Sequence, residues 1–279
     1  MIKTLLVCMD GSPGSGVAGQ YGVYLAKELN ASLSALHVLD TRLLEGPFLA
    51  NVSGWLGAQP FSDALGNFRR LMTENGEAML KAYAEGAAEQ GVYVERRVVW
   101  GHPARVILEE SGHTELLLLG QRGEHGEVEQ ELIGSVVERV ARSSAEPCLI
   151  APAEFRPIGK ILAAYDGSAH AGKALHVAIE LALALSAPLV ILTVAEDGRE
   201  EAVHQSGEAM RLARSHECAA AQLILEGEVH EVILNQASEQ GCDLIVAGAH
   251  GHGRIREWIL GSAATHLLHE TTLPLILAR

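Results

Sequence analysis

Short apolar runs alternate with longer amphipathic stretches throughout the second half of the chain. The apolar runs lie at 160–165, 188–194, 221–225, 243–247 and 274–278. Between them, apolar residues recur at helical spacing in four stretches, at 169–186, 200–217, 228–240 and 262–271. Continuous apolar strands separated by helices are typical of a parallel sheet that is covered on both faces. The pattern therefore predicts a doubly wound α/β domain with five strands.

The first half of the chain repeats the second half. Four pairs of segments match in the same order: LLVCMDGSPGSG (5–16) with ILAAYDGSAHAG (161–172), WGHPARVILEE (100–110) with EGEVHEVILNQ (226–236), ELLLLGQRG (115–123) with DLIVAGAHG (243–251), and EPCLIAP (146–152) with LPLILAR (273–279). Such self-similarity indicates a duplicated domain. We predict two domains, at 1–152 and 157–279, with a linker near 151–159. Pro147 and Pro274 begin the last apolar run of each copy, which suits an edge strand.

The first copy carries an insertion. Asp10 and Gly120 are 110 residues apart, whereas their counterparts Asp166 and Gly248 are 82 apart, so the first copy has 28 extra residues. They fall at 41–68, where glycine, proline and scattered aromatic residues indicate a loop. Its large side chains, a candidate partner surface or lid, are Phe48, Trp55 and Phe61. Packing against its own domain or across a dimer is the alternative, and long loops more often behave that way.

Composition narrows the classes of partner. Apolar residues make up 48% of the chain, yet no stretch approaches the 18 consecutive apolar residues of a spanning helix. The N-terminal MIKTLLVCMDGS turns polar too early for a signal peptide. A formal charge of −14 disfavours nucleic acid and anionic lipid as partners. Four cysteines without CxxC spacing suit a reducing compartment. We expect a cytoplasmic protein with neither nucleic-acid nor membrane partners.

A glycine-rich loop after the fourth strand is the first candidate for chemistry. Residues 248–262 read GAHGHGRIREWILGS. Gly248 and Gly251 can adopt positive φ and let a ligand approach the backbone. Gly261-Ser262 opens the last helix, whose unpaired N–H groups favour phosphate. Four side chains add positive charge or hydrogen-bond donors: His250, His252, Arg254 and Arg256. In open α/β sheets this position, with the Asp after strand one, borders the ligand crevice.

Each of these features also has a purely structural interpretation. Ser262 could serve only as a helix cap. Asp10 and Asp166, each followed by Gly-Ser, could be turn formers or caps of the next helix. Arg254 and Arg256 could form a solvated face. Two features that converge at one switch point in both copies favour the ligand-binding interpretation.

The loop and its surroundings resemble the universal stress protein family. GAHGHGRIREWILGS fits the family's G-x2-G-x9-G-[ST] nucleotide motif, and the likeness extends over nearly all 279 residues. It includes Asp-Gly-Ser after strand one, LHVLD and LTVAE at the end of strand two, the GHPARVI turn and the closing Pro-strand. The resemblance implies a tandem protein with strand order 3-2-1-4-5 in each copy, the fold of the adenine nucleotide alpha hydrolase-like proteins.

The resemblance also implies a ligand and its contacts. The expected ligand is ATP, with Mg²⁺ as a companion of its phosphates. Asp166 and Val194 would contact adenine and ribose, and the rest of the second-copy site would be Gly248, His250, Gly251, Gly253, Arg254, Gly261, Ser262 and Ala263. A weaker site in the first copy would use Asp10, Val38, Gly120, Gly123, Gly134 and Ser135. Family members pair through the last strand, which implies an internal pseudo-dimer through 148–151 and 274–278, and a homodimer.

The first copy departs from the motif. Ten residues, not nine, separate Gly123 from Gly134, and the segment 121–133 holds one arginine against four glutamates. A carboxylate about 4 Å from a phosphate costs about 1 kcal/mol in water and more near a protein surface. We therefore predict that the second copy binds nucleotide and the first binds weakly or not at all, unless the extra residue turns the glutamates outward. A metal site in EHGEVEQE is a further interpretation, but a solvated acidic helix start explains these residues better, so we predict no metal ligands.

Three functions remain open. The first, and preferred, is a nucleotide-responsive stress or signalling module that binds without catalysis. The second is a slow ATPase or another ATP-using enzyme; yet no Walker lysine follows either loop, neither Asp-Gly-Ser turn supplies a pyrophosphatase loop, and no general base or nucleophile stands out. The third is a protein-interaction module that acts independently of nucleotide.

Overall fold

The computed structural model describes residues 2–44, 61–121, 135–195, 198–250 and 260–279. Ten strands lie in these residues: β1 (Thr4–Cys8), β2 (Ser32–Asp40), β3 (Val94–Gly101), β4 (Leu116–Gly120), β5 (Cys148–Ala151), β6 (Ile161–Ala164), β7 (Leu189–Val194), β8 (Ala220–Leu225), β9 (Leu244–Gly248) and β10 (Leu275–Ala278). They form one sheet in the order β3-β2-β1-β4-β5-β10-β9-β6-β7-β8. The first repeat (β1–β5) and the second repeat (β6–β10) therefore each have the expected order 3-2-1-4-5.

Helices cover both faces of the sheet. Those that the structure describes are α1 (Pro13–Leu29), α2 (Phe61–Glu89), α3 (Pro103–Ser111), α4 (Ser135–Ser143), α5 (Ala169–Leu185), α6 (Arg199–Ser215), α7 (Val229–Glu239) and α8 (Ser262–Glu270). One hydrophobic core contains residues of α1, α2, α5 and α6, and a second, on the opposite face, contains residues of α3, α4, α7 and α8. The central strands are buried between the two cores, as in Leu116–Leu119 of β4. The doubly wound α/β prediction is confirmed.

The first helix of each repeat begins and ends by the same devices. Ser12 and Ser168 occupy the N-caps of α1 and α5, where each side-chain oxygen accepts a backbone N–H at 3.1 Å. Asn30 and Ser186 end these helices with φ of 49° and 52°. Both helices span 17 residues, and each starts shortly after the first strand of its repeat.

The insertion predicted as a loop at 41–68 is partly helical. A short 3-10 helix covers Thr41–Leu44, and 61–68 form the start of α2, which at 29 residues is far longer than its counterpart α6 at 17. The loop prediction is wrong for these residues because one glycine costs a helix only about 1 kcal/mol relative to alanine, too little to end α2 at Gly66. Phe61 is the first residue of α2, while Phe48 and Trp55 lie outside the described residues.

The two repeats join through their last strands. β5 and β10 pair in antiparallel fashion, with Leu149 opposite Ile276, as the expected pseudo-dimer requires. This pairing makes the edge-strand interpretation wrong, because β5 and β10 lie in the middle of the continuous sheet. Pro147 and Pro274 directly precede the two strands and contribute only their carbonyls, which accept from Leu117 N and Ile245 N at 3.0 and 3.1 Å.

The linker between the repeats is fastened to α1. The Tyr21 hydroxyl donates to Arg156 O at 3.1 Å and accepts from Arg156 N at 3.2 Å, while the Phe155 ring lies edge-on at 4.8 Å. Tyr21 is fully buried, and burial raises the pKa of its hydroxyl.

We expect Tyr21→Phe to lower the free energy of unfolding by about 1–2 kcal/mol, since both backbone groups of Arg156 lose their partner. Denaturant titration would measure it, with the 85% exposed Tyr93→Phe as a control that should have no effect. Equal stability of both variants would contradict this role.

Candidate functional site

Each repeat has a switch point at the carboxyl edge of the sheet. In the second repeat, β6 leads into α5 on one face, and its parallel neighbour β9 leads toward α8 on the other. The chain therefore diverges between the ends of these two strands, and a crevice opens there. β1 and β4 form the same arrangement in the first repeat.

The Asp-Gly-Ser turn lies at this crevice in both repeats. Asp166 Oδ1 accepts from Ser168 N at 2.9 Å, and Asp10 Oδ1 accepts from Ser12 N at 3.0 Å. Glycine is required between them because φ is +82° at Gly167 and about as high in the first repeat. The structural interpretation of the two aspartates as turn formers is thus confirmed. Both side chains are half-buried at the edge of the crevice.

Gly248 is the last residue of β9, and close packing against α5 is the reason that this position lacks a side chain. A Cβ there would lie 2.8 Å from Ala171 N and 3.0 Å from His170 C, in the first turn of α5. Its φ is not positive, so the expected left-handed conformation at Gly248 is wrong. The physical reason is the close approach of α5 to the strand. Gly120 has the same role in the first repeat, where a Cβ would meet the backbone of Gly14 at 2.4 Å.

The two ends of the glycine-rich loop meet at one point. Gly261 N donates to Ala249 O at 2.9 Å, and Ala249 N donates to Ala278 O at 2.7 Å. Ser168 Oγ, in the cap of α5, approaches His250 O at 3.4 Å. These contacts bring the Asp166 turn, the start of the loop and the start of α8 together. The other predicted loop residues lie outside the described residues: Gly251, His252, Gly253, Arg254 and Arg256 in the second repeat, and Gly123 and Gly134 in the first.

The start of α8 is exposed and lacks a side-chain cap. Gly261 is the N-cap residue, and Ser262 is the first residue of the helix, with an exposed side chain that makes no cap hydrogen bond. The interpretation of Ser262 as a helix cap is therefore wrong, because the cap position falls one residue earlier. Ala263 follows in the first turn, whose N–H groups have no partner within the helix. Ser135 begins α4 at the same place in the first repeat.

Comparison with known proteins agrees with this arrangement. The family model described as the universal stress protein family matches residues 1–152 and again 157–279. The chain belongs to the universal stress protein family. A universal stress protein of Synechocystis sp. is 29% identical over 289 residues and covers both chains fully. Another, from Methanocaldococcus jannaschii, is 30% identical over 152 residues, which are 54% of this chain and 82% of the relative. The crystal structure of a universal stress protein from Archaeoglobus fulgidus has the same fold, with a TM-score of 0.77, 23% identity and coverage of 99% and 97%.

Basic side chains gather near the crevice of the second repeat in this universal stress protein. The His170 and His250 rings lie 5.0 Å apart. Burial lowers the pKa of His170, and the charges of Lys173 and Arg279 lower it further, against the opposite effect of Asp166. Lys173 and Arg279 therefore act electrostatically on His170 at this crevice. His170 was not among the residues expected at the site from the sequence, although it differs from its counterpart in the first repeat, Gly14.

The second strand of each repeat carries a valine at or near its end. Val194 is the last residue of β7 and lies opposite Leu225. Its counterpart Val38 is half-buried on β2, which continues to Asp40. A hydrogen bond and ion pair with Arg42, whose Nε lies 2.8 Å from Oδ2, lower the pKa of Asp40. The counterparts of Asp40 and Thr41, at 196 and 197, lie outside the described residues.

None of the helices among the described residues combines the length and the apolar character that crossing a membrane requires.

Proposed function

We propose that this universal stress protein binds an adenine nucleotide, ATP with or without Mg²⁺, at the switch point of the second repeat. It acts as a nucleotide-responsive binding module. The observation that carries the proposal is the junction at Ala249 and Gly261, which closes the base of the glycine-rich loop beside an exposed helix start. Such a junction turns the first N–H groups of α8 and the positive end of its dipole toward the crevice, where a phosphate would bind.

The proposed roles rest on the places of the described residues and, for Gly251, Gly253 and Arg254, on the sequence motif alone. Asp166 and Val194, at the ends of neighbouring strands, would contact the adenosine. The phosphates would lie against the loop and the first turn of α8, at Gly248, His250, Gly251, Gly253, Arg254, Gly261, Ser262 and Ala263. Lys173 and Arg279 offset the overall charge of −14 close to the site, which favours an anionic ligand there.

The first repeat would be the weaker site. Its loop carries four glutamates against one arginine, and these repel phosphate. The Ser12 hydroxyl donates to its own Asp10 at 2.6 Å, whereas Ser168 reaches toward the loop instead. The cap serines of the two repeats thus make different contacts at the edge of the crevice. Gly120 and Ser135 of the first repeat remain candidates for a residual, low-affinity contact with nucleotide.

A matched pair of substitutions tests the proposal. Asp166→Asn keeps an oxygen for Ser168 N but removes the charge, and hydrogen bonds to charged groups are about twice as strong as neutral ones. We expect it to weaken ATP binding by about tenfold, or about 1.4 kcal/mol. Asp10→Asn should leave binding unchanged.

Isothermal titration calorimetry with ATP would measure both variants. The same samples, followed for phosphate release, are expected to show no sustained turnover. If only Asp10→Asn weakened binding, the assignment of the two repeats would be reversed. Multiple-turnover cleavage that is lost in His250→Ala would instead support an enzyme.

A further inference from the structure

A second cluster of side chains lies outside the nucleotide site, between α7 and α8. It consists of His230 on α7 and of His266 and Glu270, one turn apart on α8. One ligand atom from each of the three residues lies within 4.8 Å of the others. We propose that these three residues bind a divalent transition-metal ion of the zinc type. This site is independent of the proposed nucleotide site.

The geometry suits a small tetrahedral ion. His266 Nδ1 and Glu270 Oε1 are already 3.0 Å apart, close to the roughly 3.4 Å between two ligands about 2.1 Å from a tetrahedral zinc. The His230 and His266 rings stack with centroids 4.1 Å apart and planes 17° apart. The His230 side chain is only 14% exposed, whereas His266 and Glu270 are about half exposed. The two exposed side chains can therefore close the remaining gap around a fixed His230.

A carboxylate next to His230 is close enough to orient its ring after a small side-chain movement. Glu228 Oε1 lies 3.4 Å from His230 Nδ1. Histidine ligands commonly donate their second N–H to such a carboxylate, which fixes the ring and raises its basicity. Two imidazoles and one carboxylate favour zinc, copper or nickel over magnesium and calcium, which prefer oxygen ligands. Three protein ligands leave one position for water.

The first repeat provides an internal comparison. By alignment of the repeats, Ala104, Arg139 and Ser143 take the places of His230, His266 and Glu270. In the first repeat the same three residues line a cavity of about 420 Å³ between α3 and α4. A methyl group, a guanidinium and a hydroxyl do not form a site for a cation. The metal site is thus specific to the second repeat.

The cysteines of the described chain are poor competitors for the ion. Burial raises the pKa of Cys148 to about 12 and that of Cys8 higher still. Thiols in this state remain protonated at neutral pH, and the thiolate is the form that binds metal. Among the described residues, the histidine cluster is therefore a better metal site than these thiols.

Titration of the full chain with Zn²⁺ and with Co²⁺, without nucleotide, tests the proposal. We expect the wild type to bind one ion, with the visible absorption of tetrahedral Co²⁺. His266→Ala and Glu270→Gln change exposed side chains, so the fold should be kept, and each should lower affinity at least about tenfold. His269→Ala, an exposed histidine on the same helix outside the cluster, should bind as the wild type does.

Two results would overturn the metal site: no ion bound by the wild type, or equal affinity in His266→Ala, Glu270→Gln and His269→Ala. The nucleotide proposal is tested separately, because Asp166→Asn is expected to retain full Zn²⁺ binding while it weakens ATP. A loss of metal binding would leave the ATP result untouched.

Discussion

Ser262→Glu is expected to weaken ATP binding by at least about tenfold while it leaves the fold intact. The new carboxylate would stand at the first position of α8, where the phosphates are expected. Repulsion at about 4 Å is worth about 1 kcal/mol in water and about 4 kcal/mol near a protein surface. A glutamate in the first turn stabilises the helix itself through the dipole. Ser262 is exposed and caps nothing, so its removal costs no internal contact.

Ser135→Glu is the matched control, because Ser135 begins α4 at the same place in the first repeat. Calorimetric titration with ATP should show wild-type affinity for Ser135→Glu and a strong loss for Ser262→Glu. Thermal unfolding should give both variants a Tm at or above that of the wild type. Retained affinity in Ser262→Glu would show that the phosphates lie elsewhere.

Gly120→Ala is expected to lower the free energy of unfolding by about 3 kcal/mol. Its Cβ would lie 2.4 Å from Gly14 C, 2.6 Å from Gly14 O and 2.7 Å from Ser15 N. All three contacts are backbone atoms, so no side chain can rotate away and the start of α1 must move off β4. Overpacking that displaces backbone costs about 1–3 kcal/mol and occasionally more. The turn at Asp10 would shift with it.

Gly16→Ala provides the comparison within the same helix. A Cβ at Gly16 meets nothing within 4 Å, and alanine exceeds glycine in helix propensity by about 1 kcal/mol. Chemical denaturation should therefore find Gly16→Ala slightly stabilised and Gly120→Ala strongly destabilised. If Gly120→Ala were as stable as the wild type, close packing of α1 on β4 would not explain the glycine.

The sequence pattern predicts the architecture closely because local features of the sequence mark each strand and helix. The apolar run at 188–194 corresponds to β7 at Leu189–Val194, and the helix expected at 262–271 is α8 at Ser262–Glu270. Apolar strands buried on both faces leave long hydrophobic runs, and glycine and proline mark their ends. Comparison of the two copies then gives the repeat and the place of the switch point.

Other features depend on contacts that a linear pattern does not contain. The approach of α5 to Gly248 explains that glycine, and only the packed structure reveals the approach. The helical start of α2 at 61–68 was hidden because glycine and proline nearby suggested a loop. His170 and His250 lie 80 residues apart and meet only when β6 and β9 become neighbours.

The histidine cluster illustrates the same limit on a second face of the protein. His266 and Glu270 show helical spacing in the sequence, which by itself indicates an ordinary surface pair. His230 joins them only because α7 packs against α8. The cluster thus arises from tertiary packing of two helices whose individual sequences are unremarkable as metal motifs.

A crystal structure grown with excess ATP would test the central claim most directly. We predict a nucleotide in the second repeat, with its base near Val194 and its phosphates against the N–H groups of Ser262 and Ala263. The crevice of the first repeat should be empty or only partly occupied under the same conditions. A nucleotide found only in the first repeat, or a second-repeat crevice filled by protein side chains, would contradict the account.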